Sequence, residues 1–261
     1  MPTSRASVAY AAIKGWFNEI DRRCFAALLD SQRESPRGDL VEVGVFHGKS
    51  AVIIADYLRD GERFVVVDLF GDDEHFDDTA EAAANRRENR QSYPNLTRRA
   101  FEESYLSSHD HLPVVVQGFS SEVVDHVAPG TARFIHIDAS HLYAPVKTDC
   151  ESSKLLLRNG GVVSFDDWSN PKCPGVAAAI WESVANDGLI PFATTRKKLY
   201  GCYDDPLPHL ETLRAMIAED PDFYDAFEVD VMDRPVLRMM PNPQRKGGAP
   251  GGSAHQASTT R

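Results

Sequence analysis

The chain has 261 residues, 42% of them apolar, enough for one large α/β domain with a full core. Its 39 Asp and Glu against 28 Lys and Arg leave a formal net charge of -11, which disfavours nucleic acid as a partner because phosphate neutralisation needs clustered Lys and Arg. The four cysteines, Cys24, Cys150, Cys173 and Cys202, form no C-x-x-C pair and read as reduced, mostly buried thiols rather than a zinc site or disulfide framework.

No secretory apolar core follows the N-terminus and no segment reaches the length of a membrane span, so a cytoplasmic protein without a membrane partner is expected. Residues 8–34 carry apolar positions at helical spacing, among them Phe17, Ile20, Phe25, Leu28 and Leu29, before Pro36-Arg37-Gly38 breaks the pattern. This predicts a helical extension over 1–37, which also offers a surface for a homodimer. A main domain over 38–243 then alternates strand and helix patterns. Leu40 to Val45, Phe64 to Asp68, Pro113 to Gln117, Phe134 to Asp138 and Gly161 to Phe165 read as strands. Ser50 to Leu58, Thr79 to Ser107, Ser120 to His126 and Val146 to Leu157 read as helices. Such alternation predicts a mainly parallel sheet covered on both faces. Two long strand-like segments, Ile190 to Tyr203 and Phe227 to Met239, flank one short helix around His209 to Ala218 and are expected to pair antiparallel at the sheet edge. Residues 244–261 are Gly-, Pro- and Ser-rich and read as a disordered tail.

In an open α/β sheet, ligands bind at the carboxyl ends of the strands, and the chemistry-bearing residues fall there. Glu42-Val43-Gly44-Val45-Phe46-His47-Gly48-Lys49-Ser50 sets two glycines and a hydroxyl between a strand and a helix, a loop that lets backbone approach a ligand. It is neither G-x-G-x-x-G nor a P-loop. Asp68 ends the second strand, where a carboxylate can accept from ribose hydroxyls, as an NAD enzyme would also require. Ser120 follows the third strand on the same edge and can frame an adenine. Asp138 and His141 end the fourth strand, and Asp166-Asp167 end the fifth, a candidate metal site with a base beside it. The acidic run Asp72 to Asp78 reads as a solvated loop or a lid, with Arg86, Arg87, Arg90, Arg98 and Arg99 as its pairing partners in preference to contacts for an anionic substrate. His136 is expected in the core. Trp168, Trp181 and Tyr143 suit either packing or a sugar-stacking platform.

Together, Glu42-x-Gly44-x-x-x-Gly48-x-Ser50, Asp68, Asp138-x-x-His141 and Asp166-Asp167 resemble class I S-adenosylmethionine-dependent methyltransferases. More narrowly, they are similar to the metal-dependent sugar O-methyltransferases related to macrocin O-methyltransferase, with Gly160-Gly161 and Pro174-Gly175-Val176 also fitting. The resemblance implies a Rossmann-like seven-stranded sheet with an antiparallel last strand. It implies a cofactor site of Glu42, Gly44, Gly48, Ser50, Asp68 and Ser120, Mg2+ or Mn2+ on Asp138, Asp166 and Asp167, and His141 as general base. The implied reaction is O-methylation of a carbohydrate hydroxyl on a small molecule or oligosaccharide, such as a natural-product glycoside or a methylated mannose-type polysaccharide. The competing readings are a phenol or catechol acceptor, a hydroxylase-like oxidoreductase on the same fold, and a catalytically silent scaffold.

Overall fold

The computed structural model describes residues 10–72, 83, 86–87, 90–91, 93 and 95–244. Residues 73–78 of the acidic run, much of the expected helix ahead of residue 95, and the tail from 245 onward lie outside the described residues. Glu19–Ser31 forms α1, opened by Asn18, whose side chain accepts the N–H of Asp21 at 2.8 Å, and by Glu19 and Asp21, which complement the helix dipole. There follow β1 (Asp39–Val43), α2 (Ala51–Ala55), β2 (Phe64–Asp68), α3 (Arg98–Leu106) and β3 (Val114–Gln117). A 3₁₀ turn at Ser120–Glu122 leads into α4 (Val123–His126), then β4 (Ala132–Ile137), α5 (Tyr143–Leu156), β5 (Leu157–Phe165) and α6 (Pro174–Asn186). The chain continues through β6 (Ile190–Thr194), β7 (Leu199–Cys202), α7 (Leu207–Glu219), β8 (Tyr224–Val231) and β9 (Arg234–Pro241).

The sheet runs in the order β3-β2-β1-β4-β5-β7-β6-β9-β8. Its first five strands are mutually parallel, and β7 enters antiparallel beside β5. Nine strands form where seven are expected, and the physical reason is local. Each of the two long C-terminal segments is a hairpin rather than one strand. Thr195 to Lys198 turns the first, closed by the Thr195 N–H to the Lys198 carbonyl at 2.8 Å. Met232 and Asp233, both at positive φ, turn the second. The pairing between the two hairpins, β6 with β9, is parallel.

Alternate residues of the central strands feed two cores. Leu40, Phe64, Val66, Phe134 and Val162 face one side, where Phe25, Leu28 and Leu29 of α1 pack, and Phe25 meets the Phe134 ring edge-on at 4.9 Å. Val41, Val65, Ile135, Ile137, Val163 and Phe165 face the other, beneath α5 and α6. The apolar face of α1 is thus consumed within the chain, and Asp21 on the same helix accepts from Thr195 and from Tyr200, which lies in the same core. Among the described residues, no helix is long and apolar enough to cross a membrane.

Candidate active site

The carboxyl ends of β1, β2, β3, β4 and β5 form one edge, and Gly44, Asp68, Ser120, Asp138, His141, Asp166 and Asp167 follow those strand ends. Gly44, at φ 82°, leaves β1 so close to β4 that a Cβ would sit 2.1 Å from the Asp138 carbonyl oxygen. Only glycine fits there, and its absence of side chain brings the loop against the β4 end. Asp68 shapes the same loop: one carboxylate oxygen accepts the N–H groups of Val45 and Phe46 at 2.7 and 3.1 Å, and the other accepts that of Phe70 at 2.7 Å. Phe46, at φ 49°, stacks on the exposed Trp16 with centroids 5.5 Å apart, an aromatic surface at the loop that pattern reading did not single out. Gly48 also takes positive φ, and Ser120 starts the 3₁₀ turn after β3.

Glu42 points inward rather than toward the open edge. Its Oε1 accepts from the Ser50 hydroxyl and from His136 Nδ1, the latter at 2.8 Å, while Oε2 is buried without a partner. Burial pushes its carboxyl up to about 8, against the Ser50 bond and the Lys198 charge, which lower it. His136 is in the core as expected, but as a link in a chain. Its Nε2 lies 2.8 Å from Lys198 Nζ, and because an ammonium only donates, Nε2 is the acceptor and Nδ1–H the donor to Glu42. Burial and Lys198 together hold the imidazole well below its ordinary range, so it is neutral. Lys198 Nζ also donates to Asp166 Oδ1 at 2.8 Å, and its side chain is 1% exposed. Burial works against that charge, but Asp166, Asp138 and Asp21 outweigh it and keep the lysine protonated. A buried relay therefore runs from Ser50 through Glu42, His136 and Lys198 to Asp166.

At the β4–β5 ends, His141 Nε2 lies 3.3 Å from Asp167 Oδ2, and Lys197 Nζ donates to Asp167 Oδ1 at 2.6 Å. Burial would raise the Asp167 carboxyl, yet the His141 and Lys197 hydrogen bonds hold it far below the usual carboxylate range. Asp167 takes φ 52°, the turn that sends its side chain toward His141 and leaves Asp166 to Lys198. Asp138 is pushed well up by burial and by the neighbouring Asp166 charge. Gly175, packed where a Cβ would lie 2.7 Å from the Tyr143 N, lets the α6 start close on the α5 start and brings Cys173 beside His141. Among the described residues, the donor atoms that close to within 4.8 Å at this edge are those of His141, Asp167 and Cys173, not the three carboxylates. The donor set still suits a hard divalent ion in kind, since Asp138, Asp166 and Asp167 all supply carboxylate oxygens at the β4 and β5 ends.

Both lysines come from the β6–β7 turn, inside a stretch that reads as one strand. A basic pair interrupting an apolar β-run was the available signal. Trp168 is tied down, its Nε1 donating to the Thr195 carbonyl at 3.0 Å and its ring edge-on to Trp181 at 6.2 Å, which favours packing over sugar stacking. Arg98 and Arg99 pair along α3 with Glu102 and Glu103 at 2.8 and 2.7 Å.

Residues 41–168 match the family model of a methyltransferase domain, just short of half the chain. No curated protein sequence matches this one. Solved structures of the same fold include CalS11, a calicheamicin methyltransferase, at 22% identity over 71% of this chain and 79% of that one, with a TM-score of 0.50. The O-methyltransferase NovP aligns at 19% identity over 71% and 81% of the two chains, with a TM-score of 0.54. A protein from Corynebacterium glutamicum aligns at 11% identity over 78% and 91%, with a TM-score of 0.53. At these identities the likeness is one of fold. Residues 41–168 are a methyltransferase domain, and the chain that carries them is an enzyme of that kind.

Proposed function

We propose that the chain transfers the methyl group of S-adenosylmethionine to a hydroxyl of a carbohydrate, with His141 as general base. The observation that carries this reading is the His141–Asp167–Lys197 array beside Asp138, set against the Gly44 loop at the carboxyl edge. Methyl transfer from a sulfonium to oxygen is an in-line displacement, so the site must hold acceptor and methyl at near-attack distance and remove one proton. Asp167, kept ionised by Lys197, orients His141 and stabilises the imidazolium that forms when the acceptor proton arrives. The loop from Gly44 to Ser50, with Asp68 beneath it and Ser120 across from it, is the cofactor cradle in this reading, and Glu42 supports Ser50 from below. The carbohydrate acceptor rests on the resemblance of Asp138-x-x-His141 and Asp166-Asp167 to sugar O-methyltransferases, and the exposed Trp16 ring on Phe46 supports it as a flat apolar face beside the loop.

Asp138, Asp166 and Asp167 are the residues that would hold a divalent ion, which would supply Lewis-acid polarisation of the acceptor oxygen. The test is transfer of labelled methyl from S-adenosylmethionine to mono- and oligosaccharides, nucleotide sugars and phenols, with Mg2+ and with chelator. Labelling of a saccharide is expected, and chelator sensitivity would support the three-carboxylate assignment. Labelling confined to phenols would replace the acceptor class, and no transfer together with no cofactor binding would end the methyltransferase reading.

A further inference from the structure

We propose that Cys202, Asp204 and His209 form a binding site for a divalent transition metal, Zn2+ by donor chemistry, at the edge of the sheet opposite the methyl-transfer site. Their ligand atoms all lie within 4.8 Å of one another. Zinc bonds of about 2.0–2.3 Å place tetrahedral ligands roughly 3.3–3.8 Å apart, so small side-chain rotations close the set. A thiolate with an imidazole is a soft donor pair that selects Zn2+ over Mg2+, and the carboxylate adds a third ligand and leaves one position for water.

The position follows from the sheet register. β7 runs antiparallel to β5, with Leu199 opposite Phe165 and Gly201 opposite Val163, so Cys202 and the residues after it lie toward the start of β5. One Asp204 oxygen accepts the N–H of Gly160 there. At about 3.3 Å per strand residue, the cluster is roughly 15–20 Å from Asp166. It is a site distinct from the catalytic edge, and the proposal stands whether or not the acceptor is a sugar.

A second observation points to a ligand. His209 is 6% exposed, and its Nε2 is buried with no hydrogen-bond partner; Asp204 Oδ1 is in the same condition. Stacking on Phe192, with centroids 5.2 Å apart, accounts for the His209 ring face and not for its nitrogen. Buried polar atoms of this kind are costly unless something coordinates them. The Cys202 thiol makes only weak contacts, to the Asp204 carbonyl at 3.5 Å and the Ile190 carbonyl at 4.0 Å. Burial pushes that thiol up to about 12, and coordination would release its proton to solvent. C-x-D-x₄-H lacks the paired cysteines by which zinc sites are read from sequence, which is why spacing alone excluded it. The ion would tie the end of β7 and the start of α7 to the start of β5.

Cobalt distinguishes this site from the His141, Asp167 and Cys173 cluster. Full-length C173S protein, stripped with chelator and titrated with Co2+, is expected to develop one equivalent of thiolate-to-cobalt absorption that Zn2+ displaces. The band should vanish in the C173S/C202S protein, and if that protein does not fold, C173S/D204N should weaken Co2+ binding at least about tenfold. Folded C173S protein that shows no thiolate band with excess Co2+ overturns the proposal. So does a band kept in C202S and lost in C173S, which would assign the ion to the catalytic edge.

Discussion

Two buried charge networks meet β4 three residues apart, one at each edge of the sheet. Near the amino edge, Arg133 donates through Nε and Nη2 to both oxygens of Glu62 at 3.0 and 2.9 Å, through Nη1 to Gln32 at 3.0 Å, and through Nη2 to the Tyr57 carbonyl at 2.6 Å. Glu62 also takes Arg59 and the N–H of Gly38. Toward the carboxyl edge, the His136 network leaves Glu42 Oε2 and the hydroxyl of Ser164, His136's register partner, buried without partners. A fully paired buried charge holds a fold; an incompletely paired one stores capacity for a ligand. The opposite protonation behaviour of the two glutamates says the same. Burial would raise Glu62, but Arg59 and Arg133 hold it down to about 2, whereas burial carries Glu42 up to about 8.

The sharpest way to break this contrast is Arg133→Met. It takes from Glu62 its fully buried bidentate partner, leaving Arg59 and the Gly38 N–H, and should cost about 3–5 kcal/mol, read from denaturant unfolding, whereas removing the carboxylate as well in Arg133→Met/Glu62→Leu should recover part of that loss. Equal destabilisation of the single and double variants would contradict the pairing. Lys198→Met acts on the other network. Asp138, already pushed up by burial and by Asp166, can relieve the missing charge by holding a proton, so turnover should fall about 10- to 100-fold at intact secondary structure. A variant that unfolds outright would show that Lys198 is structural like Arg133.

A smaller effect appears in the pH dependence. Glu62, lowered from 4.5, contributes stability present above pH 4.5 and lost as the pH falls toward 2. Glu42, raised from 4.5, has the reverse sign: its contribution is present below pH 4.5 and lost as the pH rises through about 8. Glu42→Gln should therefore flatten the decline of Tm between pH 5 and 8 relative to the wild type. Parallel curves would refute the raised carboxyl. Smallest of all, Arg98→Ala on the exposed face of α3 should change stability by only about 0.2–0.5 kcal/mol, measured by the same unfolding experiment.

Much of the fold was legible because central parallel strands are mostly apolar runs, and Leu40 to Val43, Phe64 to Val67 and Phe134 to Ile137 are buried throughout, Glu42 and His136 being their polar members. The C-terminal hairpins were not legible, since a turn inside Ile190 to Tyr203 interrupts an apolar pattern without glycine to mark it, and Met232-Asp233 is an unusual pair for positive φ. At the site, Asp138, His141 and Asp166-Asp167 could be read because strand-end carboxylates stand out against apolar runs. Their partners could not. Lys197 and Lys198 lie about 30 residues downstream, and only the register of β7 against β5 brings them to Asp166 and Asp167. Asp21 on α1 is still more distant, and its contact with Thr195 and Tyr200 follows from packing of a helix whose amphipathic face gave no hint of a buried carboxylate.

The measurement closest to the central claim pairs turnover with cofactor affinity in His141→Ala. Labelled methyl transfer should drop by about 10²–10⁴-fold, the usual worth of a positioned base, while calorimetric binding of S-adenosylmethionine changes by no more than about twofold. Undiminished transfer by His141→Ala would contradict the assignment of the proton acceptor, and with it the account of the carboxyl edge as a base-assisted methyl-transfer site.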